Sequence, residues 1–262
     1  MLSVEKQMLF LMSRTEKMNI QDLLRIYEKR GYAPTYIRSS LSRLKKGGYV
    51  ISPSRSMYRI TDIGRSFVTS INGKPQRVRE AWDGRWHIVM AGVPEEQRRK
   101  RDALRVGLLQ FGFGMLYNGV YVNPWNNAQE VGSLVDSLEL SGCVTCVSGS
   151  MEIGSITSQH AEKIWQLDKV AALYHDKWQW YKSEFEPLLR RADVQEDAAL
   201  ELFLLYLSIG ESISDLFLLD PMLPAELLSP EWEEHHAKLE QMMETHRQLA
   251  GRIPDLKSVW PS

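Results

Sequence analysis

The hydrophobic period changes repeatedly between residues 86 and 149, and the order of these changes constrains the fold more than any other feature. The run "WHIVMAGV" predicts a buried strand, and "VTCVSG" predicts another at the end of the segment. Between them, "GMLYN" and "GVYVN" predict two strands joined by a tight turn at Asn118-Gly119. Two helical patterns separate the strands, at Pro94 to Phe111 and at Ala128 to Leu140. The resulting order βαββαβ predicts a ferredoxin-like sandwich.

Three helical patterns precede this segment. The first two place apolar residues at helical spacing, at Val4, Met8, Leu11 and Met12 and then at Ile20, Leu23, Leu24 and Tyr27. The third, "PTYIRSSLSRLKK", begins at Pro34, which suits a first helical turn, and brings Ile37, Leu41 and Leu44 onto one buried edge. Beyond it, "YVIS" and "MYRIT" predict a hairpin that carries Arg55 at its tip. Three helices and a hairpin predict a winged helix-turn-helix.

The exposed edge of the third helix consists of residue types that contact DNA. Arginine binds guanine through two hydrogen bonds, serine and threonine bond to several groups, and lysine contacts phosphates. We predict DNA contacts from Thr35, Tyr36, Arg38, Ser39, Ser42, Arg43, Lys45 and Lys46 of this helix and from Arg55 of the wing.

The charge of the chain is divided unevenly. Residues 1–80 hold 16 Lys and Arg against 6 Asp and Glu, whereas residues 81–262 hold 16 against 27. The resulting formal charges of +10 and −11 indicate a basic module that meets a polyanion and an acidic body with another task. The alternatives are a solvated basic surface and a winged helix that contacts protein.

The carboxyl-terminal part predicts an all-helical domain. A heptad seam runs through Ile164, Leu167, Ala171, Tyr174, Trp178, Tyr181, Phe185 and Leu188. This seam favours intrachain packing over a partner surface. The run "ALELFLLYLSIG" predicts a buried helix, and a last helix starts near Glu231. Because specific operator binding needs two half-sites, we predict a homodimer with its interface in this region.

The cysteines and the amino-terminal sequence bear on compartment and cofactors. Cys143 and Cys146 are too few to cross-link a secreted scaffold, and in a regular strand they would point to opposite faces. Neither they nor the adjacent His235 and His236 predict a metal site, and nothing predicts another cofactor. The apolar run from Met8 to Met12 is too short for a membrane span. We therefore expect a cytoplasmic protein without membrane contact.

Two stretches carry a family resemblance. "WDGRWHIVMAGVPEEQRRKRDALRVGLLQFGFGMLYNGVYVNPW", together with "DPMLPAELLSPEW", is similar to the PaaX family of transcriptional repressors, which regulate phenylacetate catabolism. The match covers essentially the whole chain in the same order. The resemblance implies a dimer on a palindromic operator that is released when an aryl-CoA thioester, typically phenylacetyl-CoA, binds.

One stretch departs from the family pattern. Where the family commonly has an arginine shortly before the Asp-Pro, this chain has "GESISDLFLLDP", with Glu211 and Asp215 instead. The departure bears on the identity of the effector and leaves the operator prediction intact. A candidate anion site for a CoA phosphate is the row Arg98, Arg101 and Arg105. The same row also fits a solvated face or an additional contact to operator phosphates.

The rival functions are enzymatic. The middle segment resembles the ferredoxin-like fold of small CRISPR-associated nucleases, which hold a metal with an aspartate at the end of the first strand; here that strand ends "MAGVP" without a carboxylate. The chain also lacks G-x-S-x-G and a nucleotide-binding glycine loop. We therefore predict no catalytic residues and no enzyme activity. The alternatives are a ferredoxin-like nucleic-acid-processing protein and an acyl-CoA-binding protein whose winged helix contacts protein.

The predicted architecture is α+β with three domains. They are a winged helix at residues 1–72, a ferredoxin-like middle domain at 80–152 and a helical domain at 158–262, with "SINGKPQ" as the first linker.

Overall fold

The computed structural model describes residues 3–77, 81–192 and 199–252. Their contacts divide into two compact units. The first is drawn from Met1–Thr69, Leu173–Leu216 and His235–Ser262, and the second from Ser70–Ala172 and Phe217–Glu234. The described residues combine helices with two antiparallel sheets, which is consistent with the predicted α+β class. The predicted three-domain division stays a prediction.

The amino-terminal part of the chain alternates helices with short strands. Its elements are α1 (Ser3–Ser13), β1 (Met18–Asn19), α2 (Ile20–Lys29), α3 (Pro34–Lys46), β2 (Val50–Ser54), β3 (Met57–Ile60) and α4 (Asp62–Arg77). The predicted apolar edges of α1, α2 and α3 are buried, which confirms the helical periods. The strands form an antiparallel sheet in the order β1-β3-β2.

Two elements in this part were not predicted from the sequence. The two-residue β1 pairs with β3 through Met18 and Asn19, opposite Tyr58 and Met57. Helix α4 continues through the predicted linker "SINGKPQ", so that segment is helical and not an open connection. Phe67 of α4 is buried and lies edge-on to the ring of Tyr49, with 5.4 Å between the ring centroids. This aromatic contact packs α4 against the segment between α3 and β2.

The middle of the chain has the predicted βαββαβ order. Its elements are β4 (Trp86–Ala91), α5 (Arg98–Gln110), β5 (Gly114–Tyr117), β6 (Val120–Asn123), α6 (Ala128–Ser137) and β7 (Val144–Gly149), followed by α7 (Ser158–Trp165). The strands form an antiparallel sheet in the order β5-β6-β4-β7, which is consistent with a ferredoxin-like sandwich. Helix α5 starts later than predicted, because a 3₁₀ turn at Glu95–Gln97 precedes it.

The core of this second unit lies on one face of the sheet. Val89 of β4 packs with Leu104 and Leu108 of α5 and with Val131 and Val135 of α6. The predicted strand is present and is buried at Trp86 and Val89, but Met90 is 40% exposed. Side chains alternate along a strand, so Val89 and Met90 necessarily point to opposite faces.

The two stretches that carry the family resemblance meet inside the second unit. The indole Nε1 of Trp125 donates a hydrogen bond to the carbonyl of Met222 at 2.6 Å. Buried Asp220 accepts from the Met222 amide at 2.7 Å, and Met222 adopts a left-handed conformation with φ of 54°. The segments "VNPW" and "DPMLP" are therefore parts of one buried contact.

The remaining elements are helical. They are α8 (Leu167–Trp180), a π-helical turn (Tyr181–Phe185), α9 (Glu186–Ala192), α10 (Ala199–Leu219), a 3₁₀ turn (Ala225–Leu227) and α11 (Trp232–Arg252). Tyr174, Tyr181 and Phe185 of the predicted seam are buried, and the hydroxyl of Tyr181 lies 2.8 Å from that of Thr245 on α11. These positions confirm intrachain packing, but the seam is not one continuous helix. Gln166 takes a left-handed conformation between α7 and α8, and Leu188 is 49% exposed.

Helix α10 is the one helix among the described residues that is long and apolar enough, over Glu201–Leu219, to cross a membrane. Half of that window is buried within the protein. It also carries Glu211 and Asp215, which pair with cations of the same unit. The apolar composition of α10 is therefore that of a helix in the core of the protein.

Candidate nucleic-acid interface

Helix α3 presents a polar face because its apolar residues all lie on one side. Pro34 occupies the first turn, and Ile37, Leu41 and Leu44 are buried against the unit. The remaining face is exposed at the residues predicted to contact DNA: Thr35, Arg38, Ser39, Ser42, Arg43, Lys45 and Lys46. Tyr36 of the same set is half-buried. The helix thus brings all eight predicted residues to one continuous surface.

All charged side chains of α3 are positive. Helix α3 contains four cations and no carboxylate, and three of the cations, Arg43, Lys45 and Lys46, lie in its last turn. Cations at a helix carboxyl end interact favourably with the helix dipole. Their common charge favours contact with a polyanion such as the DNA backbone.

Arg43 is oriented by neighbours inside the protein. Its Nε donates to Oε1 of Glu5 on α1 at 2.5 Å, and its Nη2 donates to the hydroxyl of Ser40 at 2.9 Å. The guanidinium carbon also lies 5.9 Å from the ring centroid of Tyr36. The side chain of Glu5 is 5% exposed and that of Arg43 is 47% exposed. Glu5 and Ser40 therefore fix the orientation of the Arg43 side chain, which is still 47% exposed to solvent.

Arg55 lies at the turn between β2 and β3 and is exposed. Ser56 beside it adopts a φ of 62°, and its carbonyl accepts from the amide of Ile20 at 2.9 Å. This bond ties the hairpin turn to the start of α2. The tip is consequently fixed relative to the helices of the same unit.

The arginine row of α5 lies on the surface of the second unit. Arg98 and Arg105 are exposed, Arg101 is half-buried, and Arg101 donates to Glu95 at 2.8 Å. This hydrogen bond and the positive charge of Arg101 lower the pKa of the Glu95 carboxyl. Arg98 lies 3.9 Å from the same carboxylate. Two members of the row, Arg98 and Arg101, therefore share a neighbouring carboxylate, and the role of the row in binding an effector stays a prediction.

A polar cluster that was not predicted from the sequence joins α1 and α2 to α10. The amide of Gln7 donates to the carbonyl of Leu207 at 2.5 Å, and its Oε1 accepts from Tyr27 at 3.0 Å and from Arg30 at 2.6 Å. Arg30 is also ion-paired with Glu211. A signal for this cluster is visible in the sequence, because Glu211 and Asp215 stand four residues apart in a helix that is mostly apolar. Two carboxylates on one helix face in such a setting require cationic partners.

Tyr32 links this cluster to α3. Its hydroxyl donates to Oε1 of Glu211 at 2.6 Å, and its ring stacks on that of Tyr36 at 5.7 Å between centroids. Burial, followed by the hydrogen bond to Glu211, raises the pKa of the Tyr32 hydroxyl. The hydroxyl therefore stays protonated as a donor at neutral pH.

Metal-binding groups do not cluster in the described part of the chain. No set of three or more His, Cys, Asp or Glu residues there is placed to hold an ion. Cys143 lies just before β7 and is half-buried, Cys146 is exposed, and both are free thiols. Although Cys146 is exposed, partial desolvation by its neighbours raises the pKa of its thiol, which disfavours the thiolate that metal binding requires.

Two protein-family models match the middle and carboxyl-terminal parts of the chain. Residues 79–162 match the model for the PaaX protein central Cas2-like domain, and residues 165–253 match the PaaX-like protein C-terminal domain. Transcriptional repressor PaaX of Escherichia coli (strain K12) is 24% identical over 225 residues, which are 82% of this chain and 69% of that protein. Among solved structures, uncharacterized protein Rv0674 from Mycobacterium tuberculosis aligns with a TM-score of 0.47 and 20% identity, covering 89% of this chain and 90% of that one.

Proposed function

Since the chain belongs to the PaaX family of transcriptional repressors, we propose that it is a cytoplasmic, sequence-specific DNA-binding repressor of an aromatic-acid catabolic operon. In this proposal residues 1–72 form a winged helix-turn-helix whose α3 enters the major groove. Arg55 of the hairpin contacts the DNA backbone or the minor groove. The observation that carries the proposal is the polar face of α3, which exposes four cations and no carboxylate.

The proposed contacts divide into two kinds. Arg43, held by Glu5 and Ser40, is suited to read a base edge, because an oriented guanidinium loses less freedom when it binds. Lys45 and Lys46 at the helix end are suited to contact phosphates, which fixes position but carries no sequence information.

The proposed repressor acts as a homodimer on a palindromic operator. One small module buries modest area on DNA, so specific affinity requires two half-sites about 34 Å apart or at a multiple of that distance. The helical region of residues 158–262 is proposed as the dimer interface. An aryl-CoA thioester such as phenylacetyl-CoA is proposed as the effector that releases the operator. Release follows if the effector binds more tightly to a conformation whose two α3 helices no longer match the half-site spacing.

The end of strand β4 lacks the carboxylate that a metal-dependent nuclease of this fold would need, so it does not support the enzymatic alternatives. Strand β4 ends at Ala91 without a carboxylate, and Asp83, ahead of the strand, accepts a hydrogen bond from the Arg85 amide at 2.9 Å. We therefore propose that the protein is a regulator and not an enzyme.

The test is a fluorescence-anisotropy titration of the full chain with DNA from upstream of its own operon, with and without phenylacetyl-CoA. Saturable binding that resists non-specific competitor DNA and is lost on addition of the thioester is the expected result. Equal affinity for the upstream DNA and a scrambled duplex contradicts the proposal. The same duplex incubated with Mg²⁺ or Mn²⁺ provides the nuclease control, and cleavage there favours the nucleic-acid-processing alternative.

A further inference from the structure

The guanidinium of Arg43 is held by the protein along one edge. Its donors lie in one plane, with Nε and Nη2 on one edge and Nη1 and Nη2 at the end of the group. Nε donates to Oε1 of Glu5 on α1 at 2.5 Å, and Nη2 donates to the hydroxyl of Ser40, one turn earlier on α3, at 2.9 Å. Both acceptors belong to buried residues. The two hydrogen bonds therefore fix the plane and the direction of the guanidinium.

The end of this guanidinium is open to a partner outside the protein. A guanidinium binds a planar partner with two donors at a time, either Nε with Nη2 or Nη1 with Nη2. Because Glu5 already occupies Nε, only the pair at the end of the group can receive a new partner. Within residues 3–77, 81–192 and 199–252, Nη1 makes no hydrogen bond. Arg43 thus presents one fork of two donors in a fixed direction.

A fork of two donors distinguishes between the bases in the major groove. Guanine presents two neighbouring acceptors there, N7 and O6, whereas adenine presents the acceptor N7 beside an amino donor. Cytosine presents an amino donor, and thymine presents one acceptor beside a methyl group. Guanine is therefore the base that accepts both hydrogen bonds from the end of Arg43, and the amino group of adenine would face one of the donors.

A phosphate group also offers two acceptors, but the charge of the ion pair disfavours it. Arg43 and Glu5 together carry no net formal charge, whereas Lys45 and Lys46 in the same turn of α3 are exposed cations. Attraction to the DNA backbone depends on the positive charge that a contact brings to the phosphates. The two lysines are therefore suited to the backbone, and the neutralised arginine is suited to a base edge.

We infer that Arg43 reads a guanine of the operator through Nη1 and Nη2, and that Glu5 and Ser40 are the positioning residues that restrict it to this base. The inference rests on the proposed function, in which α3 enters the major groove. Glu5 acts in two ways. Its side chain is 5% exposed, so its carboxylate needs a cationic partner and holds the guanidinium in place. Its negative charge also lowers the attraction of Arg43 for phosphates of any sequence.

The first arm of the test changes the DNA and keeps the wild-type chain. Each guanine of the upstream duplex is replaced in turn by adenine, with thymine opposite, by 7-deazaguanine, which lacks N7, or by hypoxanthine, which keeps N7 and O6. At one guanine of a half-site, adenine should lower the affinity about 5- to 150-fold, the range expected for a paired contact to a base. 7-Deazaguanine should also weaken binding there. Hypoxanthine is the matched control and should leave the affinity unchanged.

The second arm separates the fork of Arg43 from its charge. Arg43→Lys keeps a cation beside the buried carboxylate of Glu5, so the fold should persist, but a lysine has no fork. The variant should bind the guanine and adenine duplexes with nearly equal affinity, and its slope of log affinity against log salt should match that of the wild type. Ser40→Ala removes only the acceptor of Nη2 and should also lower the guanine preference. Unfolding temperatures of both variants separate loss of reading from loss of fold.

The third arm measures the positioning role of Glu5. Glu5→Gln keeps an oxygen that can accept from Nε and frees the charge of Arg43. Affinity for a scrambled duplex should rise and the salt slope should steepen by about one, while the preference for guanine falls severalfold. A merely structural role would instead weaken binding to all duplexes without a steeper slope. Glu28→Gln is the matched control, because it removes one negative charge from an exposed position on α2 and should keep the guanine preference of the wild type.

The outcomes that overturn the inference differ from the one that overturns the proposed function. If no guanine replacement affects the wild type more than Arg43→Lys, the guanine contact is refuted. If Glu5→Gln leaves both the guanine preference and the salt slope unchanged, the positioning role is refuted. Specific operator binding by the wild-type chain would persist in both cases, and the proposed repressor would stand. A wild-type chain that binds the upstream and scrambled duplexes equally refutes the proposed function, and this inference with it.

Discussion

Arg43 on α3 and Glu5 on α1 form an ion pair in which the arginine is half-exposed and the carboxylate is almost fully buried, with 2.5 Å between Nε and Oε1. This pair joins the proposed DNA-contacting surface to the core of its unit. Because a buried carboxylate is stabilised by a cationic partner, the pair fixes the direction of the guanidinium.

Arg43 and Lys46 should have different effects on operator binding. Arg43→Ala should cost roughly 1 to 3 kcal/mol on the specific operator if Arg43 reads a base. Lys46→Ala should weaken binding to all sequences and reduce the slope of log affinity against log salt by about one. Anisotropy titrations at several salt concentrations measure both effects. Unchanged operator affinity in the two variants would remove α3 from the interface.

Gly114 is required where β5 meets α7. A Cβ at this position would lie 2.3 Å from Cγ2 of Ile164 and 2.6 Å from the indole of Trp165. The indole cannot move freely, since its Nε1 donates to the carbonyl of Gly112 at 2.9 Å. Gly114→Ala should therefore destabilise the protein by about 1 to 3 kcal/mol in chemical denaturation.

Gly132 provides the matched control for this substitution. It lies within α6, and a Cβ there would meet nothing within 4 Å. Gly132→Ala should stabilise the protein by about 0.5 to 1 kcal/mol, because alanine favours the helix. Similar effects from the two substitutions would contradict the close packing of α7 on β5.

Trp125 should stabilise the folded protein through one buried hydrogen bond. Trp125→Phe removes the donor to the carbonyl of Met222 and should cost about 1 to 3 kcal/mol of unfolding free energy. Trp82→Phe is the control, since its indole donates to the Arg85 carbonyl in an exposed position and its loss should stay within about 0.5 kcal/mol. Equal losses in urea denaturation would argue against a special role for the Trp125 contact.

His246 should make stability depend on pH. Burial lowers the pKa of its imidazole from 6.5 to about 4, and the ring stacks on that of Tyr206 with 4.2 Å between centroids. Between pH 6.5 and about 4 the unfolded chain binds a proton that the folded chain does not, so stability falls as the pH falls through this window. The contribution is at most roughly 3 kcal/mol and is fully present above pH 6.5.

His246→Phe keeps an aromatic ring at this position and removes the titration. The midpoint of thermal unfolding of the variant should vary less between pH 6.5 and 4 than that of the wild type. An identical pH dependence in the two proteins would show that His246 does not titrate as its burial indicates.

Local periodicity was sufficient to predict most elements. The helix at residues 34–46 has the bounds expected from Pro34 and the paired glycines that follow it, and the βαββαβ order is confirmed strand by strand. Both features depend on neighbours a few residues apart. The polar face of α3 was predicted for the same reason, since a helical period fixes which residues share a side.

Other features escaped the sequence because they depend on distant residues. The partner of Arg30 is Glu211, 181 positions away, and the partner of Arg43 is Glu5, 38 positions away. The seam was predicted as continuous, yet Gln166 interrupts it in a conformation that its residue type does not favour. Tertiary packing, and not local residue preference, sets these ion-pair partners and the conformation of Gln166.

The sequence by itself determined the identity and order of the elements, the charge of the amino-terminal part and the surface of α3, because hydrophobic period and residue type act over short separations. Only the tertiary structure decided that Glu211 and Asp215 stand beside Arg30 and Lys177 around a cavity. The physical reason is that ion pairs and cavities arise between elements that are far apart in the chain, and no short-range pattern specifies which charged side chains meet when those elements pack.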